Sequence, residues 1–458
     1  MDPNRRAAWS ALAEEADDLL EHLRDLPVQG GDSADAVEAE VARRFPLDRP
    51  RPPAELVRDA SSLMRAHAVH VTHPRYFGLF NPPVREAAIL GDALTALYNP
   101  QLAARAHAAA ASAMERHVLR TLGALAGFPD PSGAFFTSGG AEANLSAVAV
   151  ALARAHPEAG VEGLAATGIR PVIYVSAEAH DSFVKIARLT GLGTSAVRRI
   201  ATKDLAMRPA ALARAIVEDR ATGRSPLLVA ATAGTTAAGA IDPIAAIADV
   251  AQREGIWLHV DAAWGALALL SPRTRGWLAG VERADSLTWD AHKTLAAPMG
   301  AGMFFCREPA RLVDAFGVHA SYMPVTGVPA EPFTTTPQWS RRAIGVKVLL
   351  ALAETGLGAL ADEVDRQVAL GDALRAKLQA ARFRLVSATP LPIACFAPAN
   401  GASAEELQAL AARIQRRGRT WISYAVVGGT PCLRACICGF RTEEQDLTAL
   451  VEELGAAA

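Results

Sequence analysis

Cysteine is scarce in this chain, with five in 458 residues. That scarcity excludes a disulfide-framework domain, and reduced thiols in the cytoplasm follow as the default expectation. Three of the five, Cys432, Cys436 and Cys438, crowd into CLRACICGF. The spacing is not C-x2-C and no histidine lies near, so no metal site is expected; strand alternation instead puts the three on one buried face. Charge of one sign is also lacking: 46 Lys and Arg stand against 48 Asp and Glu, a net −2, with a pI near 6.6. No basic field exists to hold nucleic acid or an anionic membrane. No apolar run is long enough to span a bilayer. The opening MDPNRRAAWSALAEEADDLLEHLRDL reads as an amphipathic helix of mixed charge, without the apolar core of a signal peptide. What is present is a 51% hydrophobic composition and a mean hydropathy of +0.15, which fit a well-buried globular protein.

At 458 residues the chain is too long for one simple core. Residues 1 to about 70 read as helices broken by PVQGGDSAD and FPLDRPRPP. From about 115 to 306, helices alternate with short apolar strands: PVIYVS (171–176), PLLVAAT (226–232), IWLHVDAA (256–263) and GAGMFFC (300–306). Strands that are nearly continuously hydrophobic belong in a parallel sheet covered on both faces, so a doubly wound α/β layer is expected. A helix is expected around 340–380, followed by a strand, helix, two strands and a helix that make a smaller α+β unit. The expected division is an N-terminal helical segment (1–75), a large α/β domain (76–345) and a small C-terminal domain (346–458).

Five places carry residues that can do chemistry. In FFTSGGAEANL a strand ends, Ser138, Gly139 and Gly140 turn, and a helix starts near Ala141. Glycines there admit close approach, and the helix start attracts phosphate; an ordinary turn uses the same residues. It is neither a P-loop nor G-x-G-x-x-G. In ATAGTTAAGAIDPI, Thr235 and Thr236 follow a strand, facing either a ligand crevice or solvent. In WLHVDAAWGA, Asp261 ends an apolar strand, where a carboxylate needs a cation or several donors, or else caps a turn. The small Ala262 and Ala263 beside it leave room for something flat. His180 follows another strand in VSAEAHDSFVKIA. Finally, Lys293 sits beside His292 in RADSLTWDAHKTLAAPMGAGMFF. A lysine in apolar surroundings either reaches solvent with its head or is kept neutral or covalently tied. All five places follow strands of one α/β domain, so they can converge on one edge of the sheet. An anion cradle, a carboxylate, a flat slot, an imidazole and a nearly buried lysine together describe a site for a phosphorylated pyridine aldehyde.

At this point the sequence resembles the group II pyridoxal-phosphate decarboxylases, which include the aromatic-L-amino-acid, glutamate and diaminobutyrate decarboxylases. The motifs HPRYFGLFNP, TSGGAEANL, AHDSFVKIA, GTT, WLHVDAAWGA, DAHK, SRRAIGVK and LRACICGFRT occur in the family's order. The resemblance implies an aminotransferase-like, fold type I enzyme that works as a homodimer with active sites at the interface. It implies pyridoxal 5'-phosphate as cofactor, with Lys293 as its covalent anchor, His180 stacked on the ring and Asp261 on the ring nitrogen. Ala263 would pack on the opposite face, Gly140, Ala141 and His292 would hold the phosphate, and Thr236 would sit near the ring's oxygen side. The segment GVHASYMPVTGVPAEP resembles the family's catalytic loop. Its Tyr322 matches the tyrosine that returns a proton to the α-carbon after CO2 leaves, so amine formation is expected ahead of aldehyde formation. The chain departs from common family residues at Thr294, Asp290 and Arg105.

Leu79 and Phe80 of YFGLFNP offer apolar groups for an aromatic or bulky apolar substrate. Gln101 or Arg105 offers a polar or cationic partner for an acidic one. Arg434 is a candidate for the substrate carboxylate or for a structural salt bridge. The leading expectation is decarboxylation of an L-amino acid. The rivals are another pyridoxal-phosphate reaction on the same scaffold (aldehyde synthase, retro-aldol lyase or carbon–carbon bond former) and a catalytically silent binding protein, against which an intact Lys293 argues.

Overall fold

The structure, a computed structural model, describes residues 3–31, 33–321, 323 and 330–457. Seven strands form the central sheet: β1 (Ala134–Thr137), β2 (Pro171–Ser176), β3 (Val197–Ile200), β4 (Ser225–Thr232), β5 (Trp257–Asp261), β6 (Ser286–Asp290) and β7 (Gly302–Cys306). Their order is β1-β7-β6-β5-β4-β2-β3. Only β7 runs antiparallel to its neighbours, so the carboxyl ends of the other six share one edge. Register aligns Thr232 with Asp261 and Asp261 with Thr288, which brings the ends of β4, β5 and β6 level.

Alternation of side chains across the strands supplies both faces. Val172 and Tyr174 of β2 pack with Leu212 and Ile216 of α8 (Pro209–Ala221) and Ile247 of α9 (Ile244–Glu254). Ile173 and Val175 pack on the other face with Ala143 and Ala147 of α6 (Gly140–Ala155) and Phe183 and Ile186 of α7 (Ser182–Leu189). The chain is α/β with a mostly parallel, doubly wound sheet, as its apolar strands predict.

The helix expected over 340–380 is two helices, α11 (Ile344–Thr355) and α12 (Leu357–Ala380). They bend by 84° at Gly356, whose φ of +76° suits glycine. A second, antiparallel sheet follows, built of β8 (Phe383–Leu385), β9 (Ile393–Pro398), β10 (Ser423–Val427) and β11 (Thr430–Cys436) in the order β8-β9-β11-β10. Leu433 and Ala435 face Leu374, Leu378, Leu410 and Leu450 of the covering helices. The opposite face of β11 presents Cys432, Arg434 and Cys436, and the cysteines are buried and free, as alternation predicts. Cys438 is buried beyond the strand end rather than within it.

Helices α1 (Pro3–His22), α2 (Ala34–Arg44) and α3 (Pro53–His67) precede the sheet. The connecting segments clamp onto the C-terminal unit. Val28 N–H donates to Gly418 O at 2.6 Å and Phe77 N–H to Trp421 O at 2.8 Å. Asp446, fully buried, accepts from Arg24 at 2.9 Å and Arg75 at 3.1 Å. No single helix among the described residues is long and apolar enough to cross a membrane. Helices α4 (Glu86–Tyr98), α5 (Ala109–Leu125) and α11 pack together beside the sheet, and α10 (Ala310–Phe316) lies against α6. The helix α11 thus adjoins the large unit; the division at residues 75 and 345 stays a proposal.

Candidate active site

Asp261 is the last residue of β5 and is 7% exposed. One carboxylate oxygen accepts from Ala263 N–H at 3.2 Å, the turn-capping bond, and the other accepts from the Asn144 amide at 2.8 Å. Asp261 thus caps its turn and faces a donor on α6.

Lys293 stands in a one-turn helix (Ala291–Thr294) directly after β6. Its Nζ lies 2.8 Å from Asp290 Oδ2, an ion-pair distance, with about a quarter of the side chain exposed. Asp290 itself is 1% exposed, and neither of its oxygens has an aligned hydrogen bond. The pair is a charge contact and leaves acceptor capacity unfilled at the bottom of the site. His292, buried, accepts Ala301 N–H on Nδ1 at 3.2 Å, so its neutral ring carries the proton on Nε2. Burial lowers its proton affinity.

Helix α6 begins at Gly140, one residue before the predicted start, facing these groups. Its first N–H groups have no intrahelical acceptor. A Cβ on Gly140 would stand 3.0 Å from Asp290 Oδ2 and 3.2 Å from the Ala263 methyl, and one on Gly139 3.5 Å from the His292 ring. Gly140, Ala263, Asp290 and His292 thus border one small space beneath the helix start, and a side chain would fill it. Ala141 follows on the exposed first turn.

Two further groups join through Asn144. Its amide also donates to Ser182 Oγ at 3.2 Å, and Ser182 N–H donates to His180 Nδ1 at 3.1 Å. His180 is exposed and shares a cavity of about 520 Å3 with Leu79, Thr236, Tyr424 and Arg434. Arg434 is 3% exposed; it donates from Nε to Thr236 O at 3.0 Å and from Nη1 to Gly78 O. Its remaining Nη2 is buried without a partner. Below it Phe80 stacks on Trp264 with ring centroids 4.3 Å apart, so Phe80 forms the cavity's support while Leu79, 51% exposed, faces open space. Thr235, the neighbour of Thr236, is buried and accepts Ala240 N–H at 3.0 Å as a turn former.

Gln101 and Arg105 bond within their own segment and to residues 330–340. Gln101 bonds Ser340 at 2.9 Å and Ala103 at 3.0 Å. Arg105 N–H donates to Glu331 at 2.8 Å and its guanidinium to Ala330 O at 2.7 Å. Tyr322 lies outside the described residues. Sequence reasoning missed Asn144, His259 and Thr288, which form a buried hydrogen-bonded group behind Asp261. The one visible signal was a histidine inside the apolar strand WLHVD.

A parallel sheet with a buried carboxylate at one strand end, a lysine after the next and a helix start between them defines a fold type I pyridoxal-phosphate enzyme. The residues fit that cofactor on structural grounds: a side-chain-free helix start for an anionic group, a buried carboxylate at Asp261 for a ring N–H, and the Lys293 amine directly after the next strand. The pyridoxal-dependent decarboxylase conserved domain matches residues 40–398, and the chain belongs to that family. It is 28% identical over 453 residues to an aromatic-L-amino-acid decarboxylase of Bacillus atrophaeus, covering 96% of this chain and 92% of that protein. It is 38% identical over 260 residues to a cysteine sulfinic acid decarboxylase of Rattus norvegicus, covering 56% of this chain and 52% of that protein. The solved structure of Oryza sativa TDC with PLP and tryptamine superposes with a TM-score of 0.92 at 25% identity, over 100% of this chain and 99% of that one. The protein is a pyridoxal-phosphate-dependent amino-acid decarboxylase.

Proposed function

We propose that the protein decarboxylates an L-amino acid with an aromatic or bulky apolar side chain, releasing the amine and CO2. The reading is carried by the cavity that His180 shares with Leu79, Thr236 and Arg434. The unpartnered Nη2 of Arg434 is suited to one carboxylate oxygen of the substrate, because a buried donor without an acceptor is costly until a ligand supplies one. Leu79 then offers apolar surface to the side chain. The other cation in the cavity, Arg199, is paired with Asp181, and Glu178 adds negative charge, so an acidic side chain finds little to recognise it.

The cofactor, when bound, supplies an electron sink for the carbon that loses CO2. Lys293 supplies the amine that anchors it, and Asp261 the carboxylate for its ring nitrogen. Gly140, Ala141 and His292 are assigned to the phosphate, Thr236 to the ring's oxygen side, and His180 and Ala263 to its two faces. Tyr322 keeps the role the resemblance gives it, returning a proton to the α-carbon. The working unit is proposed as a homodimer in which Gln101 and Arg105 serve the partner's cavity.

Two measurements test this. Borohydride treatment of the loaded protein should fix the cofactor on the Lys293 peptide, read by mass spectrometry; label on another lysine would overturn the assignment. A panel of aromatic, apolar, acidic and diamino acids, scored for CO2, amine and peroxide, should favour the aromatic and apolar members and yield amine. Preference for an acidic substrate would overturn the side-chain reading, and peroxide with aldehyde would favour the aldehyde-synthase rival.

A further inference from the structure

Behind Asp261 a line of polar side chains crosses the otherwise apolar sheet. Trp257 Nε1–H donates to Ser286 Oγ at 2.8 Å, and Ser286 Oγ lies 2.8 Å from His259 Nδ1. His259 Nε2 lies 3.0 Å from Asn144 Oδ1, and Asn144 Nδ2 donates to Asp261 Oδ2 at 2.8 Å. Trp257, His259, Ser286, Asn144 and Asp261 are all buried. Thr288 Oγ donates to the same Asn144 oxygen at 2.8 Å, and Phe183 edges the imidazole at 6.3 Å between centroids.

The direction of every bond in this line follows from its two ends. An ionised carboxylate only accepts, so the Asn144 amide turns its NH2 to Asp261 and its oxygen to His259. That oxygen only accepts, so His259 donates from Nε2, and its Nδ1 must then accept. Indole N–H only donates, so Ser286 receives from Trp257 and spends its own proton on His259 Nδ1. Four residues, Trp257, Ser286, His259 and Asn144, therefore donate in sequence toward one carboxylate, and cooperative polarisation along such a chain strengthens its last bond. Burial pushes the His259 ring down to about 4, so it stays neutral and keeps this one-donor, one-acceptor form near neutral pH.

We infer that Asn144 and His259 are positioning residues that stabilise negative charge on Asp261 and so keep the shared proton on the cofactor's ring nitrogen. The inference rests on the assignment of Asp261 to that nitrogen. Hydrogen bonds to a charged form favour it. Take the Asn144 donor away and Asp261 becomes the better base, so the proton moves from the ring toward the carboxylate. Neither residue touches the reacting atoms; both act through Asp261.

The test uses two nitrogen signals. In the apoprotein with 15N-labelled histidine, His259 should show an unprotonated Nδ1 and a protonated Nε2 at pH 7. The reverse tautomer or an imidazolium overturns the inference without any variant being made. In holoenzyme loaded with ring-15N cofactor, the wild type should give a protonated pyridine signal. Asn144→Ala and His259→Leu should shift it toward the neutral position, with the proton's partition changing on the order of ten-fold, the worth of one hydrogen bond to a charged group. His259→Gln, which keeps a donor near the Nε2 position, should restore most of the wild-type signal, whereas a packing role alone would leave Gln and Leu alike. Asp261→Asn separates the two claims. If it moves the signal while Asn144→Ala and His259→Leu do not, the inference is overturned and the Asp261 assignment stands. If none of the three moves it, both fall together.

Discussion

A side-chain carbon on Gly302 would stand 2.6 Å from the Cα of Gly139, closer than two carbons can approach. Strand β7 is thus pressed directly against the turn that opens α6, and the residue on β7 at that point sets the height of the helix start above His292 and Lys293. Gly302→Ala should push the turn outward, costing about 1–3 kcal/mol as overpacking does, and should weaken cofactor binding by about ten-fold or more, since 1.4 kcal/mol is a factor of ten. Titration of the apoprotein followed by visible absorbance would measure it, with Gly276→Ala, whose Cβ meets open space, as the neutral control. Cofactor affinity equal to wild type would mean that the turn is not the phosphate cradle. At this scale the legible residues were those where a charged or polar side chain interrupts an apolar pattern at a strand end: His180, Asp261 and Lys293. Their supports were not legible. Asn144 meets Asp261 across 117 residues and His259 across 115, and nothing in the local pattern of an Ala-rich helix marks which of its faces meets which strand. The same blindness leaves Arg434 open between a salt bridge and a ligand; among the described residues it pairs with no carboxylate and is held by two carbonyls.

Among the elements, strands were the easier to read, because continuous apolar runs of five to eight residues bounded by turns leave few alternatives. Strand β2 coincides with PVIYVS, and β4 and β7 differ from PLLVAAT and GAGMFFC by one or two residues at their N-terminal ends. The single helix expected over 340–380 failed because one glycine inside a helical pattern is tolerated as often as it ends a helix; only the +76° φ of Gly356 decides. The packing of α5 against α11 rests on a feature no periodicity announces. Glu115, 2% exposed, accepts from Arg341 at 2.7 Å and from the Gly345 N–H at 3.1 Å, and a Cβ on Gly345 would stand 2.8 Å from the Glu115 Cα. Glu115→Gln leaves a buried guanidinium without its charge partner, and breaking a buried pair in this way costs roughly 3–5 kcal/mol. Chemical denaturation should show a loss of that order. Replacing both partners, Glu115→Leu with Arg341→Met, should recover part of it, and a double variant no better than the single would show that the loss comes from packing instead.

For the whole molecule, the order of units along the chain is not their order in space. The first 75 residues look like a separate helical segment in the sequence, yet Arg24 and Arg75 reach Asp446 near the other terminus, so the N-terminal segment and the last helix share one buried carboxylate. A second whole-molecule feature is what α4 leaves uncovered. Leu90, Leu94, Leu97 and Tyr98 follow a helical spacing and are 56%, 43%, 66% and 78% exposed, beside a cavity of about 710 Å3 lined by Met114 and Val346. Contiguous apolar surface of this kind on a helix is expected to be covered by another chain. The proposed occupant is a second copy, the partner of the proposed homodimer, because the same helix leads within a few residues to Gln101 and Arg105, which are proposed to serve that partner's cavity. Leu97→Asp combined with Tyr98→Asp puts two carboxylates into the centre of that face, and like charges meeting their symmetry copies add repulsion to desolvation. Light scattering should then report a mass near the 48.1 kDa of one chain, against twice that for the wild type. Turnover should fall with the loss of the partner's contribution, while the melting temperature of the isolated chain, set by its own cores, should change far less. A wild type that is monomeric and fully active would remove the dimer and, with it, the assignment of Gln101 and Arg105 to a neighbouring cavity.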